Sequence, residues 1–124
     1  MNSINDTIVA LCSGAVKAAI SVIRVSGTDS FSIVNSIFSN KKEKEHQKVY
    51  YGYIKEDEEI VDEVMVTYYK GPHSFTAEDM VEISCHGNMY IVEKILELLI
   101  SKGARIADRG EFSQRAFLFK RIDL

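Results

Sequence analysis

The first third of the chain alternates short apolar runs with polar segments. Residues 7–12 (TIVALC) and 18–25 (AAISVIRV) are rich in β-branched residues, which favour half-buried strands. In residues 29–38 (DSFSIVNSIF), apolar side chains recur at helical spacing. This pattern predicts two strands followed by a first helix, with Thr28 as the cap of that helix.

The middle of the chain has the pattern of a β-hairpin. Two aromatic and β-branched runs, residues 49–54 (VYYGYI) and 64–69 (VMVTYY), flank the acidic stretch KEDEEIVDE. A second charged run without periodicity, NKKEKEHQK, precedes them, and Lys70-Gly71-Pro72 ends the pair. We predict two paired strands, with both charged stretches in surface loops.

The last third of the chain carries the clearest helix signal. Residues 80–85 (MVEISC) predict a strand, and residues 88–103 (NMYIVEKILELLISKG) predict an amphipathic helix that packs on a sheet. A brief strand (ARIA) and a turn into a basic helix (GEFSQRAFLFKRIDL) follow. Because strands and helices interleave irregularly around a central hairpin, we predict an α+β fold with a mixed β-sheet and helices packed on it.

Composition narrows the functional classes. The chain has 124 residues, of which 46% are hydrophobic, enough for one domain with its own core. A net charge of −3 provides no general attraction to nucleic acid. A locally basic C-terminal end without a groove-reading motif is weak support for RNA binding. The basic residues of that end are Arg105, Arg109, Arg115, Lys120 and Arg121.

The expected location follows from the cysteines and from the missing targeting signals. Only Cys12 and Cys85 occur, outside any zinc-ligand or CxxC spacing, which fits a reducing compartment. The first residues have no basic leader, and no apolar run approaches the roughly 18 residues of a membrane span. We therefore expect a cytoplasmic protein without a membrane segment.

Residues 73–88 (HSFTAEDMVEISCHGN) contain three carboxylates, a thiol and two imidazoles. The two-residue period of a strand places Cys85 on one face with Val81 and Ile83. A thiol among such residues is usually an unreactive part of the core. We therefore predict no catalytic role for Cys85.

A metal site in the same segment is also disfavoured. Glu82 and His86 share the other face of the strand but stand about 13 Å apart along it, too far to hold one metal ion. Glu78 and Asp79 are expected in the first turn of a short helix capped by Thr76, where carboxylates complement the helix dipole. Glu82 remains as an acid in an otherwise apolar strand, either exposed on a solvated face or binding a partner, because an unpaired buried carboxylate is costly.

Three stretches of the chain form specific motifs. They are DTIVALCSGAVKAAISVIRVSG at residues 6–27, PHSFTAEDMVEISCHGN at residues 72–88 and RIADRGEFSQRAFLFKRIDL at residues 105–124. In this order they resemble the N-terminal domain of the tRNA-modification GTPase family MnmE, also called TrmE. That family opens with DTIVA...G...IxxIRxSG and ends with RxAxPGEFTxRAFLNGKxDL, so the resemblance covers essentially the whole chain.

The chain departs from the family pattern at a few positions. Ala77 and Asn88 stand where the family has glycine, and Arg109 stands where it has proline. Residues 119–121 read FKR where the family has NGK, so that the family's lysine aligns with Arg121. Arginine keeps the charge but replaces a point charge with a planar fork.

The resemblance implies that residues 1–124 form a domain that binds a tetrahydrofolate derivative, formyl-tetrahydrofolate, as a one-carbon donor and that holds a homodimer together. It implies Arg24, Glu82 and Arg121 as the cofactor-binding residues. The two donors on a pterin edge suit the carboxylate of Glu82, and the anionic polyglutamate tail suits the two arginines. Alternatively, Arg24 reaches water at a strand end and Arg121 belongs to a solvated helix end. His86 could line the same cleft or be a satisfied histidine at a strand end.

For the whole family protein, the resemblance implies carboxymethylaminomethyl-type modification of the tRNA wobble uridine, with tRNA and a flavoprotein of the MnmG (GidA) type as partners. This chain has no GxxxxGK[ST] pattern. We therefore expect GTP, magnesium and potassium to bind only in a GTPase domain that, like the helical domain, lies outside this chain. Here we expect binding without catalysis. Two alternatives stay open: a dimerisation scaffold without ligand, and half of a folate-dependent aminomethyltransferase, which needs two such halves.

Overall fold

A six-stranded sheet organises the part of the chain that the computed structural model describes, residues 5–12 and 19–122, with side chains as far as residue 120. Its strands are β1 (Ile8–Leu11), β2 (Ile20–Ser26), β3 (Val49–Glu56), β4 (Glu59–Tyr69), β5 (Met80–His86) and β6 (Arg105–Ile106). The order across the sheet is β3-β4-β5-β2-β1-β6. Neighbouring strands are antiparallel except β1 and β6, which are parallel. The predicted mixed sheet of an α+β fold is confirmed.

Three helices accompany the sheet in the described residues: α1 (Ser30–Asn35), α2 (Met89–Ser101) and α3 (Glu111–Ile122). The side chain of Asn88 caps α2 by accepting a hydrogen bond of 3.2 Å from the backbone N–H of Ile91. Asn88, which stands where the family pattern has glycine, therefore provides a cap for α2. None of these helices combines the length and hydrophobicity that crossing a bilayer requires.

The hydrophobic core lies between one face of the sheet and helices α1 and α2. Ile23 and Val25 of β2 are buried there. Val81, Ile83 and Cys85 of β5 are buried there too, on one face as the two-residue period predicted. The buried side chains of α2 are Val92, Ile95, Leu98 and Leu99. The residues between them in β2 and β5 face the other side of the sheet, which is the side that carries the polar chemistry.

The start of the first helix differs from the prediction. Thr28 does not cap α1; the residue before the helix is Asp29, and its side chain makes no capping hydrogen bond. Instead, the hydroxyl of Thr7 accepts a hydrogen bond of 3.2 Å from the backbone N–H of Asp29. A contact from the segment before β1 thus replaces the local cap, and the Thr28 prediction was wrong.

The hairpin is confirmed, but the acidic stretch is not a long loop. β3 continues to Glu56 and β4 begins at Glu59, so only Asp57 and Glu58 form the turn. Asp57 has a φ of 54°, a left-handed conformation that aspartate tolerates better than most residues. A two-residue turn lets the acidic residues join the backbone ladder, where Glu59 and Glu63 are exposed and Asp62 is buried.

The residues before β5 form a loop, not the predicted short helix. Thr76 caps no helix; its hydroxyl is 2.6 Å from the hydroxyl of Ser26. Glu78 accepts hydrogen bonds from Ser26 and from Arg115. Ala77, where the family pattern has glycine, has a φ of 66°, which breaks a helical path. Tertiary hydrogen bonds therefore outweigh the local capping signal.

The burial of Cys85 leads to a stability prediction. Its side chain is buried among apolar residues, and burial raises the pKa of the thiol to about 11, so it stays protonated and unreactive. We expect Cys85→Ala to lower the free energy of unfolding by about 1 to 2 kcal/mol, because it leaves a small cavity. Urea unfolding measures this. Cys12→Ala, at an exposed thiol, is the matched control. Equal stability of the two variants would contradict the assignment.

Candidate functional site

An open cleft of about 490 Å³ lies on the sheet face opposite α1 and α2. Its walls come from distant parts of the chain. They include Arg24 of β2, Tyr69 of β4, Glu82 of β5, Phe75 of the loop between β4 and β5, and Lys120 of α3. The sheet thus brings together two of the three predicted cofactor-binding residues, Arg24 and Glu82.

Arg24 and Glu82 face each other across the β2–β5 ladder. The Nη2 and Nε groups of Arg24 donate to Oε2 of Glu82 at 2.8 and 3.1 Å. The hydroxyl of Tyr69 donates to Oε1 at 3.2 Å. The side chains of Arg24 and Glu82 are 22% and 24% exposed. The carboxylate is thus held in one orientation. These hydrogen bonds use three of its four acceptor positions and leave one, on Oε1, for a ligand's donor.

Tyr69 contributes a hydroxyl that keeps its proton. Burial raises the pKa of this phenol, and the negative charge of Glu82 raises it further. A protonated phenol donates its hydrogen to the carboxylate and does not compete with it for donors. Tyr69 therefore orients Glu82 from the side opposite Arg24.

Phe75 lies close to two cations of the cleft. The guanidinium of Arg24 is 4.9 Å from the centroid of this ring, and the ammonium of Lys120 is 5.7 Å from the same centroid. The ring of Phe112 in α3 lies 5.7 Å from the guanidinium of Arg24. These cation–π contacts attach the loop and α3 to β2.

Buried ion pairs hold the wall of the cleft behind these rings. Arg115 of α3 is only 1% exposed, and its Nη1 donates to both carboxylate oxygens of Glu78, at 3.2 and 3.1 Å. Its Nη2 donates to Glu111 at 3.2 Å. The hydroxyl of Ser26 donates to Glu78 at 2.6 Å. Since a buried charge is costly without partners, these contacts determine where α3 and the loop lie.

Glu111 at the start of α3 is the centre of a second set of contacts. Arg105 binds it through two hydrogen bonds of 2.8 and 2.6 Å, and the backbone N–H of Asp108 donates to it at 2.8 Å. Hydrogen bonding by Arg105 is the main cause that lowers the pKa of Glu111 to about 2. Arg105 also donates to Asp6 at 2.9 Å. Arg105 and Arg115 are therefore committed to carboxylates of this chain, which weakens the case for an RNA-binding basic end.

His86 does not line this cleft. Its Nδ1 is 2.7 Å from Oδ1 of Asp62, and its backbone N–H donates to Oδ2 of the same carboxylate at 2.9 Å. It borders a separate cavity of about 160 Å³ with Ile20, Tyr51 and Met65. The structure thus agrees with the alternative of a satisfied histidine at a strand end. Among the side chains that the structure describes, no three His, Cys, Asp or Glu residues converge as metal ligands.

Two residues of the cleft, Tyr69 and Lys120, were not predicted from the sequence. Tyr69 lies in an aromatic strand, where its type indicates packing rather than a polar role. Lys120 stands where the family pattern has glycine, so the resemblance assigns it no function. The backbone of Arg121, the third predicted residue, lies in α3, but its side chain is not described. The role of Arg121 in ligand binding therefore stays a prediction.

Comparison with known proteins identifies the relatives of this chain. Residues 7–121 match the family described as "GTP-binding protein TrmE N-terminus". Proteins named "tRNA modification GTPase MnmE" are 52% identical over 120 residues in Mycoplasmopsis pulmonis, 46% over 125 residues in Lachnoclostridium phytofermentans and 48% over 124 residues in Mesoplasma florum. The matches cover 96%, 96% and 100% of this chain and 27% of each relative. The chain therefore spans about a quarter of the length of these relatives.

The depressed pKa of Glu111 leads to a prediction of acid sensitivity. The carboxyl titrates at about 2 in the folded chain, compared with an ordinary value of 4.5. Its stabilisation is therefore fully present above pH 4.5 and is lost as the pH falls toward 2. Because a tenfold change in proton affinity is worth about 1.4 kcal/mol, the loss is up to about 3 kcal/mol.

Glu111→Gln removes this titration. We expect the variant to be less stable than the wild type at pH 7 and to have a shallower decline of unfolding free energy between pH 5 and pH 2. Urea unfolding across this pH range measures both quantities. Glu93→Gln, at an exposed glutamate of α2, is the matched control. A wild-type pH slope in Glu111→Gln would show that the Arg105 contact contributes nothing to stability.

Proposed function

Because this chain belongs to the family of TrmE (MnmE) N-terminal domains, we propose that it is the folate-binding and homodimerising domain of a cytoplasmic tRNA-modification GTPase. Its ligand is formyl-tetrahydrofolate, the one-carbon donor for wobble-uridine modification. GTP, magnesium and potassium bind to the GTPase domain, and tRNA and a flavoprotein are partners of the whole protein. This domain contributes binding and no catalytic residue of its own.

The oriented carboxylate of Glu82 is the observation that carries the folate proposal. A pterin ring presents a ring N–H beside an exocyclic amine, two parallel donors that suit a carboxylate. Oε1 of Glu82 keeps one acceptor position for the first donor, and Oε2 accepts the second when one of its two hydrogen bonds from Arg24 is released. Arg24 and Tyr69 hold those oxygens in position before ligand arrives. Preorganisation of this kind avoids the entropic cost of ordering the side chain on binding.

Arg24 also supports the folate proposal, but not as a residue that binds the anionic polyglutamate tail. Its Nη2 lies 2.8 Å from Oε2 of Glu82, where the ion pair holds the carboxylate in place. It also lies against Phe75, whose side chain is 42% exposed and offers apolar surface to a flat ring. Arg24 therefore acts on the ligand chiefly through Glu82 and the shape of the cleft. Arg121 is retained as the third proposed cofactor-binding residue.

The apolar part of the same sheet face favours pairing of two copies. Ile20, Tyr51 and Met65 are 59%, 48% and 49% exposed and surround the small cavity beside His86. Exposed apolar residues grouped in this way are typical of an interaction surface. A two-fold axis through this patch covers both copies at once and brings each cleft close to the neighbouring copy.

Titration calorimetry with formyl-tetrahydrofolate tests the folate proposal, and Glu82→Gln tests its residue. We expect the wild type to bind and Glu82→Gln to bind about 10- to 150-fold more weakly, which corresponds to the loss of about 1.5 to 3 kcal/mol for a charge-assisted hydrogen bond. The fold should persist because the amide keeps its shape. Glu93→Gln is again the control. Absence of binding by the wild type would favour the scaffold alternative, and unchanged affinity in Glu82→Gln would remove Glu82 from the site.

Sedimentation velocity over a dilution series tests the dimer. We expect a dimer that formyl-tetrahydrofolate stabilises, because a ligand that prefers the associated state shifts the equilibrium toward it. Met65→Glu should dissociate the dimer by placing a charge in the apolar patch. The control is Tyr90→Glu, at a side chain of α2 that is 75% exposed and lies outside the patch. A monomeric wild type, or a dimer insensitive to Met65→Glu, would overturn this interface.

A further inference from the structure

We propose that Lys120 binds the anionic glutamate tail of the folate ligand and makes the cleft prefer glutamylated over unglutamylated pteridines. This inference rests on the proposed function of the same cleft. It assigns the tail to a residue that the family resemblance leaves without a role, and it separates the recognition of the tail from the recognition of the ring.

The charges of the cleft indicate where an anion binds. Among its described lining residues, the carboxylate is Glu82 and the cations of lysine and arginine type are Arg24 and Lys120. Arg24 and Glu82 neutralise each other at 2.8 Å. Lys120 forms no ion pair with a carboxylate of the described residues. Among the residues that the structure describes, the positive charge of Lys120 is therefore the one in the cleft that no carboxylate neutralises.

The ring of Phe75 holds the ammonium of Lys120 at the cleft. The ammonium lies 5.7 Å from the ring centroid, and the guanidinium of Arg24 lies 4.9 Å from the same centroid. Attraction between a cation and the ring favours this position of Lys120. Because Glu82 neutralises Arg24 at 2.8 Å, a carboxylate that binds here is attracted chiefly by Lys120.

The chemistry of lysine suits the tail better than the ring. An ammonium is a point charge with three donors on a flexible stem, so it accepts a carboxylate from many directions. A fixed planar ring edge needs the paired geometry that Glu82 provides instead. Lys120 is also exposed, whereas Arg24 and Glu82 are partly buried. The cleft thus combines a neutral inner part for the ring with a cationic rim for a flexible anionic chain.

Titration calorimetry of wild type and Lys120→Gln with three related ligands tests the proposal. The ligands are formyl-tetrahydropteroate, which has no glutamate, and the monoglutamyl and triglutamyl forms of formyl-tetrahydrofolate. We expect Lys120→Gln to weaken binding of the glutamylated forms about two- to fivefold, the range of an exposed ion pair, and to leave the pteroate unchanged. The difference should shrink at high salt. Glutamine preserves α3 because it is also a good helix former.

Lys102→Gln, which removes an exposed lysine far from the cleft at the end of α2, is the matched control and should bind all three ligands like the wild type. Wild-type affinities for the glutamylated forms in Lys120→Gln would overturn the tail assignment while leaving folate binding intact. An equal loss for all three ligands would also overturn it, because Lys120 would then act on the ring or on the fold. A wild type that binds none of the ligands would refute the proposed function itself, and the tail assignment with it.

Discussion

The antiparallel register of β2 against β5 is the constraint on which the rest of the structure depends. It places Arg24 opposite Glu82 on the face away from α1 and α2. A slip of one residue would turn a strand's side chains to the other face and bring a charge among residues such as Ile23 and Ile83. Burying an ion there costs several kcal/mol. The apolar alternation of the two strands therefore determines that the ion pair stays where a ligand can reach it.

The wall of the cleft that α3 forms depends on buried charges rather than on apolar packing. Arg115 connects this helix to Glu78 in the loop before β5 and to Glu111 in its own first turn. Breaking a buried pair leaves an uncompensated charge, so such contacts specify one arrangement even where they add little net stability. The positions of Phe75 and Lys120 at the cleft follow from this arrangement, because each lies on an element that the network holds.

Ligand binding and pairing of two copies are proposed for the same side of the sheet, and the asymmetry of the fold explains why. Helices α1 and α2 bury one face and complete the core. The other face keeps the Arg24–Glu82 pair at one end and the exposed side chains of Ile20 and Met65 toward the other. A single approaching copy can therefore cover the apolar part and border the cleft. This arrangement gives the proposed linkage between folate and association a geometric basis.

The sequence by itself determined the strands, the hairpin, α2 and the burial of Cys85, because each depends on periodicity within a few residues of one element. It also identified the family and singled out Glu82 as an acid in an apolar strand. Only the tertiary structure decided that Thr28 caps no helix, that Glu78 joins a buried ion pair and that Lys120 lines the cleft. These features depend on contacts between residues far apart in the chain, whose free energies exceed the local preferences for caps and turns.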